Sequence, residues 1–238
     1  MCKLSVNINK IATLRNARGG NVPDVVQAAI RCQEFGAQGI TVHPRPDQRH
    51  ITYEDVRKLR PVVHTEYNIE GFPGDGFLEL VEETRPEQVT LVPDGPNVIT
   101  SNAGWDTEKD FDFLLPIVES LKSKGMRVSL FMNPNPALIR KAADLGADRI
   151  ELYTEDYATQ YATSPENAIS PYIKAAQAAM DAGLGINAGH DLDRNNLGYF
   201  AQHLPGLLEV SIGHALISDA LYLGLENTIR IYLQKLQS

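Results

Sequence analysis

The chain has 238 residues, 43% of them hydrophobic, enough for one large domain or two small ones with a substantial core. Its formal charge of -8 argues against nucleic acid or an anionic membrane as a partner. Cys2 and Cys32 give no disulfide framework, and no apolar run is long enough to span a bilayer.

In chain order, the first residues lack the apolar core and cleavage site of a signal peptide, so a reducing cytoplasm is expected. Leu4 to Ile8 predicts a first strand, with Asn7, Asn9 and Lys10 at its end. A loop holding Arg15 and Arg18 follows, and Pro23 marks the start of a helix over Val25 to Phe35. The apolar run Gly39 to Val42 reads as a buried strand that stops at His43. Pro44 and Pro46 then stiffen a loop carrying Arg45, Arg49 and His50, whose guanidinium forks suit a phosphate. Thr52 with Asp55 is a capping pair for a helix from Tyr53 to Val63.

Tyr67 to Glu70 is a third strand, Asp75 to Thr84 a helix and Gln88 to Val92 a fourth strand. Asp94 to Asp106 is a long irregular stretch with Thr100 and the single tryptophan, Trp105. Loops of that length in compact domains are functional lids or disordered. A helix from Phe111 to Lys124 leads into the strand Arg127 to Phe131, and Asn135-Pro136 opens a helix that Gly146 closes. Arg149 to Leu152 is the sixth strand, with Glu151 near its end. A polar loop then reaches Pro165, and an Ala-rich helix runs to Ala182. Strands Gly185 to Ala188 and Leu208 to Ile212 flank a helix from Arg194 to His203, and Ala215 to Leu236 is the closing helix.

Helix, glycine, a few residues, strand: this punctuation recurs at Gly36, Gly125, Gly146 and Gly183. Eight mostly apolar strands alternating with eight helices predict a single α/β domain over residues 1–238. A closed (β/α)8 TIM barrel is the natural solution at this length, with an open doubly wound sheet as the alternative. In such a barrel the site lies at the C-terminal strand ends. Asn7, Asn9, His43, Glu70 and Glu151 fall there, and the pairs Gly189-His190 and Gly213-His214 follow the last two strands. Four of the six histidines, His43, His50, His190 and His214, therefore share one face. Gly213 and the helix behind it suit a phosphate, and Arg18, Arg45 and His50 form a second cationic group across the mouth. Two phosphate sites point to two phosphorylated substrates or one bisphosphate. A metal is the rival use of the histidines, although no HxH, HExxH or CxxC spacing occurs.

Over nearly its whole length the chain resembles the pyridoxine 5′-phosphate synthase family of deoxyxylulose-phosphate-dependent vitamin B6 biosynthesis. The resemblance is carried by Val6-Asn-Ile, Ile11-Ala-Thr-Leu-Arg-Asn-Ala-Arg-Gly19, Gly39-Ile-Thr-Val-His43 and Arg49-His-Ile51. Asn68-Ile-Glu70, Val128-Ser-Leu-Phe131, Asn187-Ala-Gly-His190 and Ile212-Gly-His-Ala215 add to it. It implies condensation of 3-amino-2-oxopropyl phosphate with 1-deoxy-D-xylulose 5-phosphate, giving pyridoxine 5′-phosphate, inorganic phosphate and water, without metal or organic cofactor. On that resemblance His43, Glu70 and His190 match the acid–base residues, and Glu151 matches a residue that stabilises a transition state. Asn7, Arg18, Asp191, Gly213 and His214 match the aminoketone-phosphate contacts. Asn9, Lys10, Arg45, His50 and Thr100 occupy the deoxyxylulose-phosphate positions. The resemblance also implies a homo-oligomer, an octamer built of dimers.

This chain departs from the family at three of these positions: much of the family has Asp-His in place of Asn9-Lys10, and Gly in place of Asp191. A Schiff-base aldolase-type barrel using Lys10, or a phosphosugar-binding barrel without turnover, are the alternative readings.

Overall fold

Eight strands pair in parallel, each with its sequence neighbour, and the last closes onto the first. They are β1 (Lys3–Asn7), β2 (Gly39–Val42), β3 (Glu66–Gly71), β4 (Gln88–Leu91), β5 (Arg127–Met132), β6 (Arg149–Tyr153), β7 (Gly185–Gly189) and β8 (Leu207–Ile212). Around them run α1 (Asn9–Asn16), α2 (Val25–Glu34), α3 (Tyr53–Leu59), α4 (Asp75–Thr84), α5 (Phe111–Ser123) and α6 (Pro136–Asp144). The remaining helices are α7 (Glu155–Tyr161), α8 (Pro165–Asp181), α9 (Leu197–His203), α10 (His214–Leu223) and α11 (Leu225–Lys235). This computed structural model describes residues 2–93 and 103–237, and the arrangement is the closed (β/α)8 barrel, not the open sheet. None of the described helices is long and apolar enough to cross a membrane.

The strands largely alternate, unlike the near-continuous apolar runs usual in parallel sheets, apart from Leu130-Phe131-Met132 in β5 and Leu207-Leu208 in β8. Val6, Ile40, Ile69, Val89, Leu130, Ile150, Ile186 and Val210 are fully buried and form the core with the helices. The intervening positions are polar and meet inside the barrel. Ser5 and Thr41 hydroxyls lie 2.7 Å apart, the Thr90 hydroxyl donates to Asn68 Oδ1 (2.9 Å), and Asn187 Nδ2 donates to Gln88 Oε1 (3.4 Å). The strands thus pack an apolar face outward, and several lumen groups satisfy one another across the barrel, whereas Ser129 Oγ, Glu151 Oε2 and Glu209 Oε2 find no partner among the described residues.

The four punctuating glycines all take left-handed φ, from 76° at Gly183 to 105° at Gly36, and so end their helices as anticipated. The Thr52–Asp55 capping box forms in full, although α3 stops at Leu59 instead of Val63. Three segments differ from expectation. Residues 9–16 form α1 instead of a loop, so Arg15 is helical and buried beneath it. The polar stretch after β6 is α7, opened by Glu155 and Asp156 in its first turn and anchored by buried Tyr157. The closing helix is two helices, because Gly224 sits at φ 79° between α10 and α11. Trp105 is buried: its indole N–H donates to the Leu91 carbonyl (2.9 Å) and it packs on Phe72 and Phe113.

Candidate active site

The C-terminal strand ends surround a cavity of about 690 Å³. β1 and β2 are tied together at its rim: the Asn9 N–H donates to Asn7 Oδ1 (3.0 Å), and Asn9 Oδ1 accepts the backbone N–H of His43 (2.9 Å). Asn9 therefore acts on this site through hydrogen bonding alone, as an uncharged side chain can. Lys10, exposed at the start of α1, faces the same cavity, as does Thr13 one turn on.

His43 is buried, with Nδ1 3.9 Å from Glu70 Oε2 on the end of β3. Burial first, and then the charges of Arg45, His50 and His190, hold its imidazole well below the ordinary value, so the ring is neutral at pH 7. His50 lies edge-on to it, 6.4 Å between centroids. Burial and then Arg45 push His50 down to about 4. The Ile51 N–H donates to His50 Nδ1 (2.9 Å), which leaves Nε2 as the protonated nitrogen.

Glu151, at the end of β6, has the opposite perturbation. Burial and then the neighbouring Glu70 charge raise its carboxyl well above the ordinary range, and its Oε2 finds no hydrogen-bond partner among the described residues. Gly189 makes this packing possible, since a Cβ there would lie 2.8 Å from Glu151 Oε1 and 2.6 Å from the Ser211 carbonyl. His190 follows at φ 87°, unusual for a non-glycine residue, and its ring packs edge-on against Tyr153 (5.6 Å). Its Nδ1 lies 3.2 Å from Asp191 Oδ2.

The cationic side is Arg45, Arg49 and Lys10, with the neutral His50 ring among them, all lining the cavity. Across from it, Gly213 caps α10 without any side-chain hydrogen bond, and Gly213, His214 and Ala215 line the wall. The start of this ten-residue helix, the positive end of its dipole, therefore borders the cavity. Gly213 also packs tightly on Asn7, which a Cβ would approach at 3.1 Å.

Of the residues singled out from the sequence, Asn7, Asn9, Lys10, His43, Arg45, His50, Glu70, Glu151, His190, Asp191, Gly213 and His214 all border this cavity. Arg18 is exposed and is not among the lining residues, and Thr100 lies outside the described residues. Arg49, read with Arg45 and His50 as part of a phosphate-suited loop, also lines it, and lining positions without an assigned role are Thr13, Val92, Phe131, Asp193, Ser211 and Ala215. Phe131, near the end of β5, was findable by the strand-end rule, whereas Thr13 was hidden by reading its helix as a loop. Among the described residues no group of three His, Cys, Asp or Glu side chains is arranged to hold a metal ion.

The model of the pyridoxal phosphate biosynthesis protein PdxJ family matches residues 4–238. The chain belongs to this family. Proteins of Bacteroides fragilis (60% identical, 98% of each chain covered) and Flavobacterium johnsoniae (59%, 100% of each) are named pyridoxine 5′-phosphate synthase. Like these family members, the chain is an enzyme of vitamin B6 biosynthesis. Solved structures at low identity share the barrel alone. They include the tryptophan synthase alpha-subunit of Pyrococcus furiosus (12% identical, TM-score 0.66, 98% of each chain) and the phosphoribosyl anthranilate isomerase of Thermotoga maritima (13%, 0.60, 100% and 99%).

Proposed function

We propose that this cavity condenses 3-amino-2-oxopropyl phosphate with 1-deoxy-D-xylulose 5-phosphate to give pyridoxine 5′-phosphate, inorganic phosphate and water. The observation that carries the reading is a buried imidazole, His43, held toward its neutral form, and a buried carboxyl, Glu151, held toward its protonated form, facing one cavity that Glu70 also lines. An imidazole shifted down and a carboxyl shifted up by their surroundings are the pattern of an acid–base pair. Imine formation, phosphate loss, dehydration and ring closure need repeated proton transfers and no redox step.

In this reading His43 takes protons, Glu70 and His190 relay them, and Glu151 supplies hydrogen bonding to developing charge. The α10 N-terminus with Gly213, His214 and Asn7 holds one phosphate. Arg45, Arg49, His50 and Lys10 hold the other, with Lys10 a cation and not a Schiff-base nucleophile, because the attacking amine comes with the aminoketone substrate. Phe131, an apolar wall of the cavity, suits the flat ring that forms. Self-association belongs to the same reading, and Leu221 and Tyr222, 71% and 89% exposed on α10, offer apolar surface for it. Incubating the protein with both substrates should produce pyridoxine 5′-phosphate, and omitting either should abolish it. Product absent at saturating levels of both would refute the assignment.

A further inference from the structure

The loop after β7 is more tightly built than a phosphate loop needs. The hydroxyl of Thr154, fully buried, donates to the Gly189 carbonyl (2.6 Å) and accepts the Asp191 N–H (3.2 Å). Asn196 Nδ2 donates to the Asp191 carbonyl (3.2 Å), and Asn196 is itself buried. Both backbone groups of Asp191 are therefore pinned by neighbours that do not depend on its side chain. With His190 at positive φ just before it, the carboxylate is delivered to the ring, Oδ2 3.2 Å from Nδ1.

A carboxylate only accepts, so the proton of this hydrogen bond sits on His190 Nδ1. The edge-on Tyr153 and the Phe131 ring, 6.4 Å away, wall the imidazole on other sides. We infer that Asp191 is a positioning residue for His190, fixing its ring as the Nδ1–H tautomer and leaving Nε2 as the nitrogen that exchanges protons with substrate. The same carboxylate favours the imidazolium once His190 has taken a proton, as an orienting acid does for a general base. This gives Asp191 a role other than phosphate contact. It explains how an acid is tolerated in a cavity built for anions: its charge is turned onto a neighbouring ring.

The inference rests on the proposed acid–base role of His190, and its test separates the two. Among the described residues, the other titratable or charged groups around that ring are Glu151 on β6, Glu70 on β3, His43 at the end of β2, Tyr153, Asp193 and His214. They are common to wild type and to variants at position 191. The side chains of His190 and Asp191 are 41% and 34% exposed, so solvent screening limits the effect to about 0.5–1 pH unit.

Nitrogen-15 NMR of the histidine rings, with His190→Gln to assign the resonance, should find wild-type His190 as the Nδ1–H tautomer. In Asp191→Asn the amide oxygen keeps that tautomer, but the ring titration and the matching inflection of kcat/KM both move down by about 0.5–1 pH unit. In Asp191→Gly the tautomer itself shifts toward Nε2–H, with the melting temperature little changed because the Thr154 and Asn196 contacts remain. A wild-type Nε2–H tautomer, or ring titrations and rate profiles that superimpose across all three proteins, would overturn the inference. Should wild type make no pyridoxine 5′-phosphate, the functional reading fails, while tautomer and ring titration still decide whether Asp191 holds the ring.

Discussion

His43 shows most directly how position sets chemistry. Its backbone is fixed by Asn9 and its ring is buried among cations, so it stays neutral where an exposed histidine would be partly charged. His43→Asn should lower kcat by about two to four orders of magnitude, the usual worth of a general acid–base group, with little change in melting temperature. A variant that melts normally and turns over at the wild-type rate would remove His43 from the mechanism. The sequence revealed His43, Glu70 and Glu151 because each sits where a strand pattern breaks into a polar residue. It did not reveal the perturbed protonation of His43 and Glu151, which depends on burial and on charges brought in from several strand ends together. Nor did it show where the Asp191 carboxylate points, since nothing local distinguishes a side chain turned toward a phosphate from one turned onto its neighbour.

Between α1 and α3 the decisive contact is Arg15 with Asp55. Arg15 Nη1 and Nη2 donate to the two carboxylate oxygens at 2.5 and 2.8 Å, and Nη2 also donates to the His50 carbonyl (3.2 Å). Asn16 Nδ2 donates to the Arg49 and His50 carbonyls (3.1 and 2.9 Å), so α1 grips the cationic loop by its backbone. Burial alone would raise the Asp55 carboxyl, but hydrogen bonds from Arg15 and Thr52 outweigh it and hold it below the ordinary value. Asp55→Ala leaves a buried guanidinium unpaired and removes the capping box. It should cost about 3 kcal/mol in denaturant unfolding and raise KM for deoxyxylulose phosphate more than it lowers kcat. Unchanged stability and KM would mean the loop is held otherwise. Thr52 and Asp55 were legible as a cap from their spacing, but the second role of Asp55 was not, because Arg15 lies 40 residues earlier in sequence. α1 itself was missed because its cationic residues resembled a phosphate loop, when one of them faces inward as a strut.

Across the whole molecule the barrel was readable from alternation of strand and helix, while the polar lumen was not. A half-polar strand is ordinarily half solvated, and only closure turns its polar face inward. One consequence is measurable. Glu209, 1% exposed in the lumen, has its carboxyl pushed up from 4.5 to about 8, by burial first and then by the charge of Glu66. The folded state therefore binds this proton more tightly than the unfolded chain, and stability falls as pH climbs from about 4.5 toward 8. Glu209→Gln should be more stable than wild type by on the order of 1–2 kcal/mol at pH 8, and the two should converge near pH 4. A stability difference independent of pH would place the Glu209 proton elsewhere.

In the proposed reaction one cavity, using its own histidines and glutamates, joins two phosphorylated substrates and expels one phosphate. Phosphorus-31 NMR of the chelator-treated protein with both substrates tests it most directly. Both substrate resonances should decay together while pyridoxine 5′-phosphate and inorganic phosphate grow in equal amounts, at a rate that added divalent metal does not change. Inorganic phosphate appearing from either substrate alone at the same rate, or turnover only after metal is restored, would contradict it.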